Sequence, residues 1–177
     1  MRLGFLARLL ALLLAAAPVS AQQLGLPQGD ILTISSERLF IESAFGKRIA
    51  AEIEAEGAAL ARENRSIEAD LTAEEKALTE KRQAMEPAAF RTLADSFNEK
   101  VQVIRRTQDT KARALVQKQD AARGKFYETA RPVLIALMQE AGAGVILERS
   151  SVFLSANATD ITEIAIERID AIIGTGE

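Results

Sequence analysis

The chain has 177 residues, with 22 basic side chains against 25 acidic ones, and contains neither histidine nor cysteine. That composition excludes a disulfide framework, the usual zinc sites and any thiol- or imidazole-based nucleophile–base pair. A net charge of −3 also lacks the overall basic footprint of a nucleic-acid binder, so nucleic acid is not expected as a partner.

Residues 1–21 read as a cleavable signal peptide. Arg2 and Arg8 supply the positive start, Leu9 to Ala17 is apolar, and Val19-Ser20-Ala21 ends in small residues. The apolar run is shorter than the about 20 residues a membrane span needs. Cleavage after Ala21 would export residues 22–177. Gln22 to Gly29 then forms a polar leader.

Asp30-Ile31-Leu32-Thr33-Ile34-Ser35 is a short, partly β-branched run, predicting a strand over 31–35. Ser36 to Phe40 begins a helical turn that points Leu39 and Phe40 at a core, and Ser43 or Gly46 separates this turn from a long limb.

From Ala44 the sequence is helix-forming almost without interruption to Ala141, broken at Glu86-Pro87. Proline disfavours helix in the residue before it and suits the first position of a new helix, so the pair predicts the tip of a hairpin arm over 44–131. At about 1.5 Å per residue, each limb would reach roughly 65–80 Å. On the first limb Ile53, Leu60 and Ile67, then Leu71, Leu78 and Met85, fit one heptad register. The other seam positions (Ala50, Gly57, Asn64, Glu74, Lys81) fill it poorly. The second limb carries an apolar stripe of Phe90, Leu93, Phe97, Val101 and Ile104 near the tip, which fades before Leu115 and Val116. Gly57 and Gly124 sit inside the limbs, where glycine costs about 1 kcal/mol relative to alanine.

Pro132 opens a more apolar segment read as the return to the body, with a kink just upstream. Gly142 and Gly144 stop the helix. Two strands are predicted next, at 144–149 and 152–155, then a helix over 160–173 whose start resembles a capping box of Asp160 and Glu163. The body, 22–43 with 132–177, would take its core and oligomer contacts from Ile31, Ile34, Leu39, Phe40, Val145, Leu147, Val152, Leu154, Ile161 and Ile164. So small a core is marginal alone, which points to oligomerisation. The fold class is therefore α+β: a long antiparallel, coiled-coil-like hairpin protruding from a small sheet body.

Charge divides along the same lines. The limb 44–86 has 7 basic and 10 acidic residues, whereas 87–131 has 10 basic and 5 acidic. Opposite limbs favour antiparallel pairing, weakly per pair. The carboxylates at Glu52, Glu54, Glu56, Glu74 and Glu75 read as solvated helix positions, since neighbours one or two residues apart do not converge on one face, so no catalytic or metal site is assigned and no cofactor is expected.

The order of these elements resembles the Skp/OmpH family of periplasmic chaperones. The residues that carry the resemblance are Ile31–Ser35 with Leu39-Phe40, Gly46-Lys47 at the arm entry and Pro132-Val133-Leu134 at its exit. Val145-Ile146-Leu147, Val152-Phe153-Leu154 and Asp160-Ile161-Thr162 complete them. The resemblance implies a homotrimer whose three arms enclose a cavity for unfolded outer-membrane proteins. It implies an ATP-independent holdase and not an enzyme, with anionic lipid or lipopolysaccharide as a further partner. The best-known members are strongly basic, and this chain departs from them.

Two sets of arm residues are candidates for touching client. The apolar set is Phe90, Leu93, Phe97, Val101 and Ile104, which could instead pack on the other limb. The basic set is Lys100, Arg105, Arg106, Lys111 and Arg113, which could instead pair with the acidic limb. The competing function is an envelope scaffold or adaptor that docks one folded partner through its coiled coil.

Overall fold

The computed structural model describes residues 29–176; the signal-peptide reading at 1–21 lies outside them. Strand β1 (Ile31–Ile34) and the short helix α1 (Ser36–Glu42) lead into α2 (Ala44–Lys81). A turn at 82–86 reverses the chain, and α3 (Pro87–Glu140) returns it to strand β2 (Val145–Glu148). Two 3-10 turns, Arg149–Ser151 and Asn157–Thr159, precede the last helix, α4 (Thr162–Ile173). β1 and β2 pair in parallel, with Ile31 opposite Val145 and Ile34 opposite Glu148. The connection between these parallel neighbours is the arm itself, so the arm leaves and re-enters at one place.

Local chemistry explains each boundary. The Ser35 side chain accepts the Arg38 N–H and caps α1. Ser43 does two jobs at the next joint: its hydroxyl donates to the Phe40 carbonyl (2.8 Å) and accepts from the Gly46 N–H (3.0 Å). Pro87 occupies the first turn of α3, where a missing N–H costs nothing. At the far end Gly142 adopts φ 68°, its N–H donating to the Gln139 carbonyl and that of Ala143 to Met138, the paired bonds of a Schellman stop.

The core sits where the arm joins the sheet. Leu32, Ile34, Leu39, Phe40, Ile161, Ala165 and Ile169 meet Phe45 and Ile49 of α2 and Phe126, Ala130, Val133 and Leu137 of α3. Phe126 is wholly buried, with ring centroids 5.3 Å from Phe40, 5.6 Å from Phe45 and 5.4 Å from Tyr127. The Tyr127 hydroxyl donates to the Ser36 carbonyl at 2.7 Å, tying α3 to the start of α1. Core building thus draws on the roots of both limbs, beyond the residues expected from the flanks.

Several expectations need correction. Val152–Ser155 forms no strand. A strand needs a hydrogen-bonding neighbour, and the second edge of β1 is taken by Asp160 and by the Ile161 N–H donating to the Thr33 carbonyl at 2.9 Å. Ile31 (51% exposed), Val145 (37%), Leu147 (38%) and Leu154 (86%) are not buried within the chain, and Val152 and Ile164 are only half-buried. In β1 the helices cover the face of Leu32 and Ile34 and leave Ile31 open. In β2 only Ile146 packs on the core.

α3 runs through Pro132 without ending, so the proline lies inside the helix where the chain re-enters the body. The proposed capping box does not form either. Asp160 instead accepts the Thr162 N–H (2.9 Å) and hydroxyl (2.5 Å) and pairs with Arg149, while Glu163 faces Arg38 at 3.8 Å. Burial pushes the Asp160 carboxyl up, but those hydrogen bonds and Arg149 outweigh it and hold the group below its ordinary value.

Gly57 and Gly124 have ordinary helical surroundings, and a methyl group added at either would meet nothing within 4 Å. Alanine at each position should therefore raise stability by about 1 kcal/mol, the helix-propensity difference alone. Urea unfolding followed by circular dichroism checks this; an unchanged or lower midpoint would show a packing role that these two glycines lack here.

Candidate functional site

The candidate site is the arm. Among the described residues no helix is long and apolar enough to cross a membrane, and no cluster of acidic side chains is arranged to hold a metal. α2 spans 38 residues and α3 spans 54. At about 1.5 Å per residue α3 is roughly 80 Å long.

Near the tip the limbs meet along an apolar seam. Phe90, Phe97, Val101 and Ile104 are half-buried, as are Ile67, Leu71, Leu78 and Met85 opposite. These side chains therefore pack between limbs and keep part of their surface free. Arg82 lies over the Phe90 ring, 5.8 Å from its centroid. Leu93 lies off the seam, 39% exposed, because Ala94 takes the inward position. A spacing of four then three from Phe90 to Phe97 selects Ala94; a small residue there hid the choice in sequence. Val103 and Val116 are also exposed on α3. Val103 falls outside the heptad stripe, so periodicity gave no signal for it, whereas Val116 lies beside Leu115 where the stripe resumes and Leu115 takes the half-buried position.

Seam filling is incomplete. A groove of about 550 Å³ lies between the limbs beside Asn64, Leu71, Phe97 and Gln108. A second of about 480 Å³ lies nearer the body over Ala59, Leu60, Ala114 and Leu115. Both are open slots along the seam and neither encloses a ligand-sized cavity.

Charge crosses the seam as a ladder. Lys100 pairs with Glu74, Lys111 with Glu63 at 2.5 Å, and Lys118 with both Glu56 at 2.5 Å and Glu52 at 3.2 Å. Steps of seven and eleven residues on one limb match the same steps reversed on the other, which is one constant antiparallel register. Of the two readings open for Lys100 and Lys111, contact with a client or pairing with the acidic limb, the structure has the pairing. Arg105, Arg106 and Arg113 make no ion pair among the described residues and are part of the arm's free cationic surface, together with others such as Arg62, Arg65 and Arg91. Opposite charge on the limbs was readable from sequence; the partner of each lysine was not, because pairing depends on register.

The ladder shifts its own groups. Lys111, then Gln108, hold the Glu63 carboxyl below the ordinary glutamate value, and Lys118 with Arg48 does the same for Glu52. Glu56 and Glu52 raise Lys118. A carboxyl lowered on folding contributes stability at neutral pH, and that contribution is lost as pH falls through its folded value. Acid below about pH 4.3, the ordinary glutamate value, should loosen the body-proximal half of the arm first. Hydrogen exchange across an acid titration checks it; loosening that begins above pH 6 would contradict the assignment.

The comparisons agree with this architecture. The family described as outer membrane protein (OmpH-like) matches residues 30–169. No curated protein sequence matches the chain. Among solved structures, a candidate outer membrane chaperone (OmpH-like) from Caulobacter crescentus CB15 superposes with a TM-score of 0.77 at 23% identity, covering 85% of this chain and 89% of that one. At that identity the likeness speaks for the fold, while the match over most of the chain settles the family: this protein is a member of the OmpH-like family.

Proposed function

We propose that this protein is an ATP-independent periplasmic holdase, which binds unfolded outer-membrane proteins between helical arms and keeps them from aggregating. The observation that carries this reading is the arm itself: a long hairpin without an enclosed pocket, whose half-buried apolar seam and free arginines offer many weak contacts in place of one strong site. Weak contacts distributed over several arms hold a client by avidity, and the length of the arms lets one assembly fit clients of different size.

Several arms require several chains. Phe153 and Leu154 stand fully out in solvent, Ile31, Val145 and Leu147 are uncovered, and the outer edge of β2 has no strand partner among the described residues. An apolar patch beside an open sheet edge invites a second copy. A homotrimer built through this patch would bring three arms to one side, as the family's architecture implies. Arg105, Arg106 and Arg113 would also suit anionic lipid or lipopolysaccharide headgroups.

The test dilutes several unrelated, urea-unfolded outer-membrane proteins into buffer with the purified chain and follows light scattering. Suppression of aggregation for all of them, at about one assembly per client, is expected. The variant Leu154→Asp should fall to monomer and lose suppression, since a buried charge at a contact between copies is not tolerated. Binding to one folded protein with indifference to denatured ones would instead favour a scaffold.

A further inference from the structure

We infer that the arm has two differently joined halves, and that the half nearer the body is an ionic clasp whose tightness depends on salt while the tip half stays closed. In the tip half, Phe90, Phe97, Val101 and Ile104 face Ile67, Leu71 and Leu78, and Lys100–Glu74 is the one ion pair between limbs among the described residues there. Apolar contact of this kind does not weaken when salt is added.

The body-proximal half is built otherwise. Lys118 bridges Glu52 and Glu56, and Lys111 reaches Glu63. Each of these side chains is between 36% and 47% exposed, so mobile ions reach every pair. The seam beneath carries Leu60 and Leu115, with Ala59 and Ala114 beside them, and leaves the 480 Å³ slot unfilled. Where the two halves meet, Gln108 turns its amide nitrogen to Glu63 at 3.1 Å, and its carbonyl oxygen is buried with no partner. Gly57 and Gly124 lie in this half with no side chain against them. Two leucines beside an open slot, an orphaned acceptor and two glycines make a thin apolar contact, so the ion pairs carry a larger share of the tie between the limbs here than near the tip.

Both ends of this half are anchored. Phe45, Ile49, Phe126 and Ala130 lock the limbs into the body core, and the apolar seam locks them near the tip. Loosening the clasp therefore does not open the hairpin. It makes a compliant segment between two stiff ones, so the tip can swing as a unit. Screening sets the compliance: the distance over which charges feel each other falls from about 30 Å at 0.01 M salt to about 3 Å at 1 M.

Hydrogen exchange on the full purified chain, read by mass spectrometry in about 20 mM and about 500 mM NaCl, tests this with the tip as internal reference. Exchange in peptides from 52–63 and 108–120 should quicken roughly fivefold at high salt, while 67–78 and 90–104 change by less than about twofold. The double variant Lys111→Gln with Lys118→Gln should exchange rapidly in this half at low salt and lose the salt response. The charge swap Glu63→Lys with Lys111→Glu should keep it. Equal quickening in both halves, no quickening in either, or an undiminished salt response in the glutamine variant would overturn the proposal.

Discussion

Replacing Phe126 with alanine should cost about 3–5 kcal/mol, the range for emptying a fully buried aromatic site. Phe126 has no exposed surface, and its ring lies between those of Phe40, Phe45 and Tyr127. Those neighbours come from α1, α2 and α3, so no single element can shift to close the cavity. A small body has little stability to spare, and a loss of this size is comparable with the whole of it. The expected result is a body that melts at low temperature while much of the helical signal of the arm persists. Circular dichroism gives the helical signal and tyrosine fluorescence reports the body, because the only tyrosine, Tyr127, packs on Phe126. A variant that melts within a few degrees of the parent would mean that the three-element contact is not what holds the arm root.

The second large effect is expected at Gly46. A methyl group built there would stand 1.8 Å from the Phe40 carbonyl oxygen and 2.7 Å from its carbon, both backbone atoms that cannot rotate away. The backbone of α1 passes this close because Ser43 folds the joint tightly, donating to that same carbonyl. Gly46→Ala should therefore cost about 3 kcal/mol, at the upper end of overpacking penalties, by pushing α1 off the start of α2. Opposite signs are expected for one chemical change in one helix: destabilising at Gly46, stabilising at Gly57. Matched urea titrations of the two variants compare them directly. A neutral Gly46→Ala would show that α1 is free to move relative to the arm.

How far sequence reaches in this protein depends on the range of the interaction involved. Glu86-Pro87 marks the tip because proline acts on its immediate neighbours, and Gly142 marks the end of α3 for the same reason. Strands predicted on both sides of the hairpin imply that the chain returns to its start, but which of them pairs with β1 was not legible. Phe45 and Phe126 were harder: each reads as an arm residue, and only the folded root brings them within 5.6 Å. Val152 to Ser155 has the composition of a strand, yet pairing needs an edge, and the chain offers that segment none. On the arm, the apolar stripe was legible, but Leu93 outranked Ala94 on hydrophobicity while geometry chose the alanine. For Lys100 and Lys111 the choice between client and acidic limb stayed open, because their partners lie twenty-six and forty-eight residues away.

These details shape the picture of how an arm would work. A client would meet, among others, the exposed shoulders of the seam, Leu93 among them, and Arg105, Arg106 and Arg113. The ion-pair ladder serves the arm's own closure. The uncovered Ile31, Val145 and Leu147 of the sheet, and the exposed Phe153 and Leu154, would be available to join copies at the body while the arms stay free.

The central claim is that several such arms, joined at their bodies, hold one unfolded client. The most direct measurement is the solution mass, by light scattering behind size exclusion, of the purified chain alone and after a urea-unfolded outer-membrane protein is diluted into it. Three chains together are expected without client, and a soluble complex of three chains with one client when it is present. A chain that remains monomeric at micromolar concentration, or a client that precipitates while the chain elutes unchanged, would contradict it.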